Sequence, residues 1–359
     1  MAFNFFNKLR SFNFNFFTSD LGVDLGTSNV LIYVEGKGVV VREPSVVAVD
    51  KNTGKILQVG ADARNMMGRT PGNVVAMRPL KDGVISDHEM TVQMLQHLFR
   101  RAVKASVFNP KPRVVICVPS GVTEVEERTV INAAIEAGAR RVYLIEEPLA
   151  AALGANLPVE EASGHMVIDV GGGTTDIAVV SLNGVANSAS VEAAGDAFDE
   201  AIARHVRRKH GVVIGQVTAE EIKIQIGCVW PRPEDPAMIV KGRDAKTGLP
   251  RQIELRSSEI FEVLRRPARM ITDEVLHVLE ETSPELVGDI AQNGITLTGG
   301  GSQIWGMDKL IEERTAIPCT IADDPDFCVV YGCGKAIGWI NTTIHEGPIN
   351  LARERIKRE

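Results

Sequence analysis

The chain has 359 residues, 44% hydrophobic and 24% charged, with a formal net charge of −7. That length can bury a sizeable core and accommodates two domains, while the acidic balance argues against a general nucleic-acid binder. Five cysteines (117, 228, 319, 328, 333) form no CxxC pair, seven histidines show no HxxH or HExxH spacing, and no apolar run approaches 18 residues. Reduced core thiols, no zinc site and no membrane-spanning helix are therefore expected.

Residues 1–18 differ in composition from the rest, holding seven of the twelve phenylalanines. On a helix of 100° per residue, Phe5, Leu9, Phe12 and Phe16 share one face, and Phe6 and Phe17 widen it. Asn4, Asn7, Lys8, Ser11 and Asn15 take the other face, while Asn13 interrupts the apolar side. Such a segment suits the plane of a membrane interface, with Lys8 and Arg10 attracted to anionic lipid. The alternative is packing on its own domain or on a neighbouring copy. No unbroken apolar region with a small-residue cleavage site follows, and Ala2 excludes myristoylation.

Val23-Asp24-Leu25-Gly26-Thr27-Ser28-Asn29 comes next, ahead of a strand-like run at 30–34. The pattern returns about 145 residues later as Asp169-Val170-Gly171-Gly172-Gly173-Thr174-Thr175-Asp176, between the apolar runs 166–168 and 177–180. Each reads as strand, tight glycine turn, strand. Consecutive glycines weaken a strand. Their N–H groups can approach an anion closely, however, and the hydroxyls of Thr27, Ser28, Thr174 and Thr175 add donors. Asp24 and Asp169 would repel phosphate unless a divalent cation lay between, and hard oxygen ligands suit Mg²⁺ held through waters. Two such hairpins suggest two related lobes gripping one polyphosphate.

Between the hairpins the chain alternates strands with helices. A core-facing helix is expected over 88–105 and a buried strand over 113–118. Thr123 and Glu126 have the spacing of a capping box. Glu146-Glu147-Pro148 opens an alanine-rich helix, where proline and acids suit the first turn. In the second half, Asp196–Arg208 is amphipathic, and its basic end reads as a solvated helix C-terminus. Thr218 and Glu221 also have capping-box spacing, 253–264 and 270–279 read as strand-then-helix patterns, and Thr298-Gly299-Gly300-Gly301-Ser302 is a third glycine turn entering a helix.

The three glycine motifs, in this order and spacing, resemble the actin/Hsp70/sugar-kinase superfamily. Glu43–Ala48, Arg78–Ile85, Leu144–Ala152 and Leu297–Gly301 narrow the resemblance to the MreB family of bacterial actins, over about Asp20 to Trp339. The resemblance implies an α/β actin-like ATPase fold: two ribonuclease-H-like lobes around a nucleotide cleft, each with a small accessory subdomain. It places domain I at 19–152 plus 330–359 (small subdomain about 35–80) and domain II at 153–329 (small subdomain about 196–260). It implies that Glu147 positions the attacking water with Thr174 assisting, and that Glu220 and Lys223, beside Glu221, lie along the ribose and adenine. Gly26 to Asn29, Gly171 to Thr174 (through Gly172 and Gly173) and Gly299 to Ser302 (through Gly300 and Gly301) are expected to hold the ATP. Val107-Phe108 would correspond to an apolar membrane loop of some relatives. Asp176 stands where glutamate is expected in many of them. The implied biology is an ATP-hydrolysing cytoskeletal filament on the inner face of the cytoplasmic membrane. It would work with membrane proteins of the wall-elongation machinery to direct wall synthesis and cell shape, and would not bind nucleic acid.

No G-x-x-x-x-G-K-[ST] and no strand-following G-x-G-x-x-G occurs, so a P-loop and a Rossmann site are excluded. Leu25, Val170 and the triple glycine argue against an aspartic protease. A sugar or acyl kinase would use the same clamp with substrate-binding insertions. A chaperone would add a large peptide-binding domain. The compact length favours the filament branch.

Overall fold

The computed structural model describes residues 20–103 and 111–342. Two five-stranded sheets organise it. In the first, the spatial order is Arg141–Glu146, Arg113–Val118, Leu21–Leu25, Asn29–Val34 and Gly38–Pro44. In the second it is Cys319–Ile321, Ile295–Thr298, His165–Val170, Thr175–Ser181 and Gly184–Val191. Both sheets run three antiparallel strands into two parallel ones. The lobes are thus repeats of one design, as the duplicated hairpins suggest. The inner parallel strands Leu21–Leu25, Arg113–Val118 and His165–Val170 are almost wholly buried, as expected of strands covered on both faces.

Each sheet has its own apolar core. A third cluster lies between them, built on Glu147–Gly154 and Cys328–Thr342, the helix that crosses back from the second lobe to the first. These helices pack closely because their facing residues are small. A Cβ at Gly332 would stand 1.8 Å from the carbonyl oxygen of Ala150, and one at Gly154 would stand 1.7 Å from that of Cys328. Close backbone approach needs residues with no side chain there. All five cysteines are buried and free.

Two accessory units stand over the cleft. One is the sheet Ile56–Val59, Val47–Asp50, Val74–Met77 with the helix Ala61–Met66. The other is the sheet Val212–Val213, Ala237–Asp244, Pro250–Arg256 with the helix Gln216–Ile226. Thr123 and Glu126 form the expected capping box.

Two local expectations fail. The helix at 216–226 starts from Gly215, so Thr218 lies inside it and caps nothing. Residues 253–256 are the end of the strand Pro250–Arg256 and the helix follows, as expected, but no second strand opens 270–279: the helix Ser257–Glu281 continues through it and through Pro267. Its buried stripe of Ile260, Leu264, Ala268, Ile271, Val275 and Val278 outweighs the roughly 3 kcal/mol that an interior proline costs.

Candidate functional site

The two hairpins face each other across a cleft of about 710 Å³, within the usual range for a small-molecule site. Asp24 and Asp169 occupy equivalent places, each one residue before the end of its strand. The loops that follow nearly touch: a Cβ at Gly172 would stand 2.1 Å from Ser28 Oγ, and one at Gly173 would stand 2.9 Å from Asp82 Cα. The space between the loops is therefore lined by backbone, which is what anion recognition by N–H groups requires. Gly26, Thr27, Ser28, Asn29, Gly171, Gly172, Gly173 and Thr174 all line it, and Gly299, Gly300 and Gly301 close a third side.

Five expected residues meet the cleft differently. Thr175 Oγ1 is buried and donates to Ala193 O at 2.7 Å, so only Thr174 of that pair offers a hydroxyl to the cleft. Ser302 is buried beneath the third turn and donates to Gly299 O at 2.6 Å, which fixes the turn and spends the hydroxyl. Glu221 is exposed and lies off the cleft wall. Glu220 does line the cleft, but Arg64 of the opposite accessory unit takes its carboxylate. Lys223 also lines the wall, and its ammonium donates to Gly195 O at 2.9 Å and to Asp199 Oδ2 at 3.0 Å.

The floor is acidic. Burial, reinforced by the charge of Asp169, pushes the Asp24 carboxyl up to about 7. Burial likewise raises Asp169 to about 7, although it accepts from Thr298 Oγ1 at 2.7 Å. Glu147 sits at the first position of its helix and lines the cleft, with its acid group raised well above the usual range by burial and then by Asp176, Asp169 and Asp24. Four carboxylates with no basic side chain among their charge partners form a cluster that a divalent cation would relieve. The donor set fits such an ion. Ligand atoms of Asp24, Cys117 and Glu147 lie within 4.8 Å of one another, and the Cys117 thiol stays protonated through its hydrogen bond with Cys333 and its burial. That leaves carboxylate oxygens, which suit hard Mg²⁺.

Several cleft features were not singled out from sequence. The Asp82-Gly83 turn wedges between the hairpins, where Gly83 N donates to Thr27 Oγ1 at 2.9 Å. The Arg78–Ile85 stretch that contains it was noticeable only as a family likeness. Asp176 accepts from the backbone N–H of Ser120 at 3.0 Å and so joins the second lobe to the loop after Arg113–Val118. Ion pairs also cross the cleft: Arg78 to Asp196 at 2.7 and 2.8 Å, and Arg42 to Asp326 at 2.5 Å. Other lining residues, Ile224, Gly227, Ile304 and Trp305, make part of the wall less polar, with Arg232 lying 5.2 Å from the Trp305 ring centre.

Two lobes of repeated topology around a glycine-lined, acid-floored cleft define the actin-like fold class. Comparison with known proteins agrees. A profile of the MreB/Mbl protein family matches residues 18–345. The cell shape-determining protein MreB of Escherichia coli K12 is 50% identical over 337 residues, covering 93% of this chain and 96% of that protein. The cell shape-determining protein Mbl of Bacillus subtilis 168 is 48% identical over 318 residues, covering 89% and 95%. The crystal structure of MreB5 of Spiroplasma citri bound to AMPPNP superposes with a TM-score of 0.86 at 40% identity, covering 90% of this chain and 97% of that one. The chain belongs to the MreB/Mbl family of cell shape-determining proteins.

The expected membrane contacts Phe5, Phe6, Leu9, Phe12, Phe16, Phe17, Val107 and Phe108 lie outside the described residues. Among the described residues no helix is long and apolar enough to cross a membrane.

Proposed function

We propose that this chain binds ATP with Mg²⁺ between its lobes, hydrolyses it, and uses the bound state to govern assembly into protofilaments. The observation that carries this is the convergence of three glycine turns from two repeated lobes onto one carboxylate floor. Support comes also from the similar MreB5 of Spiroplasma citri, whose crystal structures hold AMPPNP and ADP. In this reading the lobe boundaries fall at 19–152 plus 330–359 and 153–329.

Asp24 and Asp169 would hold Mg²⁺ through waters, and the ion would offset charge on the phosphate oxygens. The loops 26–29, 171–174 and 299–301 offer backbone donors to the phosphates, while the apolar wall at Ile224 and Trp305 receives the base. Glu147, held at its helix start and facing the acidic floor, orients the hydrolytic water and accepts its proton, and Thr174 donates beside it. Closure of the lobes over nucleotide changes the end surfaces that meet in a filament. The phenylalanine-rich N-terminal segment places the filament on the inner membrane face. There the polymer multiplies a weak anchor and organises the membrane proteins that build the wall and set a rod shape.

The test is sedimentation and phosphate release by wild type and Glu147→Ala with ATP. Wild type should pellet with ATP and release phosphate. The variant should still pellet but release phosphate about 10²–10⁴-fold more slowly, the usual cost of losing a positioned base. A protein that stays monomeric with ATP, or whose turnover depends on an added sugar or acid, would refute the filament reading in favour of a phosphotransferase.

A further inference from the structure

Away from the cleft, His205, His210 and Glu259 converge at the far end of the helix Gly195–His205. His205 Nε2 lies 2.6 Å and His210 Nε2 2.7 Å from the same oxygen, Glu259 Oε1. Their side chains are 17%, 21% and 17% exposed, so the group is recessed yet open to solvent on one side. The arrangement is held by backbone: a π-helical turn, Val206–His210, ends at Gly211 with φ of +64 and swings His210 back towards His205. Glu259 projects from the first turn of Ser257–Glu281. Nothing in the proposed nucleotide chemistry uses these residues, and the eleven-residue helix puts them roughly 16 Å from the cleft.

The geometry points to a second metal site: two imidazoles and one carboxylate that bind a borderline divalent ion of the Zn²⁺ class, with water completing the shell. The donor set is one that zinc uses when a coordination position stays open. It also separates this site from the cleft, where all-oxygen donors favour Mg²⁺. Bonds of about 2.1 Å at tetrahedral angles need donor atoms roughly 3.4 Å apart. Each nitrogen therefore moves about 0.7 Å from the shared oxygen on loading, and each imidazole takes the Nδ1–H tautomer so that its Nε2 lone pair faces the ion, an adjustment within reach of partly exposed side chains. Glu259 meets both imidazoles through Oε1 alone. Lys209 Nζ sits 3.2 Å from the other oxygen, Oε2. It is the competing cation, and being 55% exposed it can turn out to solvent.

The experiment is calorimetric titration of Zn²⁺ into the full, chelator-treated chain with Mg²⁺ and ADP saturating the cleft. Co²⁺ absorption then identifies the ligand type. Wild type should take up one equivalent, with a Co²⁺ spectrum lacking thiolate charge-transfer bands. His210→Gln and Glu259→Gln should each lose at least tenfold in affinity, and Lys209→Ala, which removes the rival cation without touching a ligand, should bind more tightly. Retained ADP binding by each variant shows that it is folded. Absence of Zn²⁺ uptake by wild type, equal uptake by wild type and His210→Gln, or a thiolate spectrum overturns the site.

Discussion

Removing the Arg78–Asp196 bridge should loosen the clamp without touching its phosphate loops. Arg78 follows the strand Val74–Met77 of the first lobe's accessory unit, and Asp196 lies in the first turn of Gly195–His205 in the second. One guanidinium nitrogen meets both carboxylate oxygens, at 2.7 and 2.8 Å, with the side chains 15% and 25% exposed. A fully exposed pair would contribute about 0–1 kcal/mol, whereas breaking a buried one costs about 3–5 kcal/mol. This partly buried pair of charge-assisted bonds falls between, at about 1.5–2 kcal/mol. Since about 1.4 kcal/mol is a factor of ten, Arg78→Ala should shift the closed-to-open ratio roughly tenfold to thirtyfold. The effect passes to the glycine loop 171–174 directly, because the N–H groups of Gly195 and Asp196 donate to Gly171 O at 3.1 Å and Gly172 O at 2.8 Å. Fluorescent-ATP titration and sedimentation across protein concentrations should show affinity falling by about that factor and the assembly threshold rising. Asp196→Ala should do the same, and the double variant should be little worse than either, since both remove one interaction. Additive losses, or wild-type affinity in Arg78→Ala, would refute the claim that this bridge holds the lobes closed.

Two further outcomes follow from the acidic floor and the N-terminal segment. Asp24 and Asp169, raised from about 4 to about 7 by burial, hold more protons folded than unfolded, so cation-free stability should fall as pH rises from 4 to 7. The melting temperature should drop by at least ~3 °C over that range without Mg²⁺, recover with Mg²⁺·ADP at pH 8, and flatten in Asp169→Asn; a pH-independent melting point would count against the buried pair. For the N-terminal segment, burying a phenylalanine is worth about 1.5–3 kcal/mol, so Phe5→Asp with Phe16→Asp should reduce co-sedimentation with anionic vesicles more than tenfold, and equal pelleting of the two proteins would remove the anchor.

What the sequence disclosed was local chemistry. An acid, a glycine turn and hydroxyls between two apolar runs sit within eight residues, so both hairpins and the third turn could be read directly, as could the capping box at Thr123 and Glu126. Errors arose where a local pattern had no local cause. Thr218-x-x-Glu221 carries cap spacing, but Gly215 had already started the helix, and the same pattern inside a helix has no free N–H to cap. Thr175 and Ser302 look like their neighbours, yet strand alternation and a 3₁₀ turn aim them inward, at Ala193 O and Gly299 O. Long-range pairings left no trace at all. Arg78 and Asp196 are 118 positions apart, and His205 and Glu259 are 54 apart. The His205–His210 interval matches no ordinary ligand spacing because a π-turn sets it.

The repeat explains why the acids can be where they are. In each lobe the central strand runs parallel to one neighbour and antiparallel to the other, and it ends at the cleft with its acid one residue from the loop. Facing two such lobes therefore brings Asp24 and Asp169 together as a consequence of topology. The resulting like-charge cluster opposes closure, while Arg78–Asp196, Arg42–Asp326 and Arg64–Glu220 at the rim favour it. A clamp balanced in this way has its floor neutralised by protons on Asp24 and Asp169 at low pH, and above about pH 7 it would need a cation. Its backbone-lined loops suit an anion. The metal-bound polyphosphate proposed above would supply both, so ligand and closing motion would then follow from one arrangement of charges.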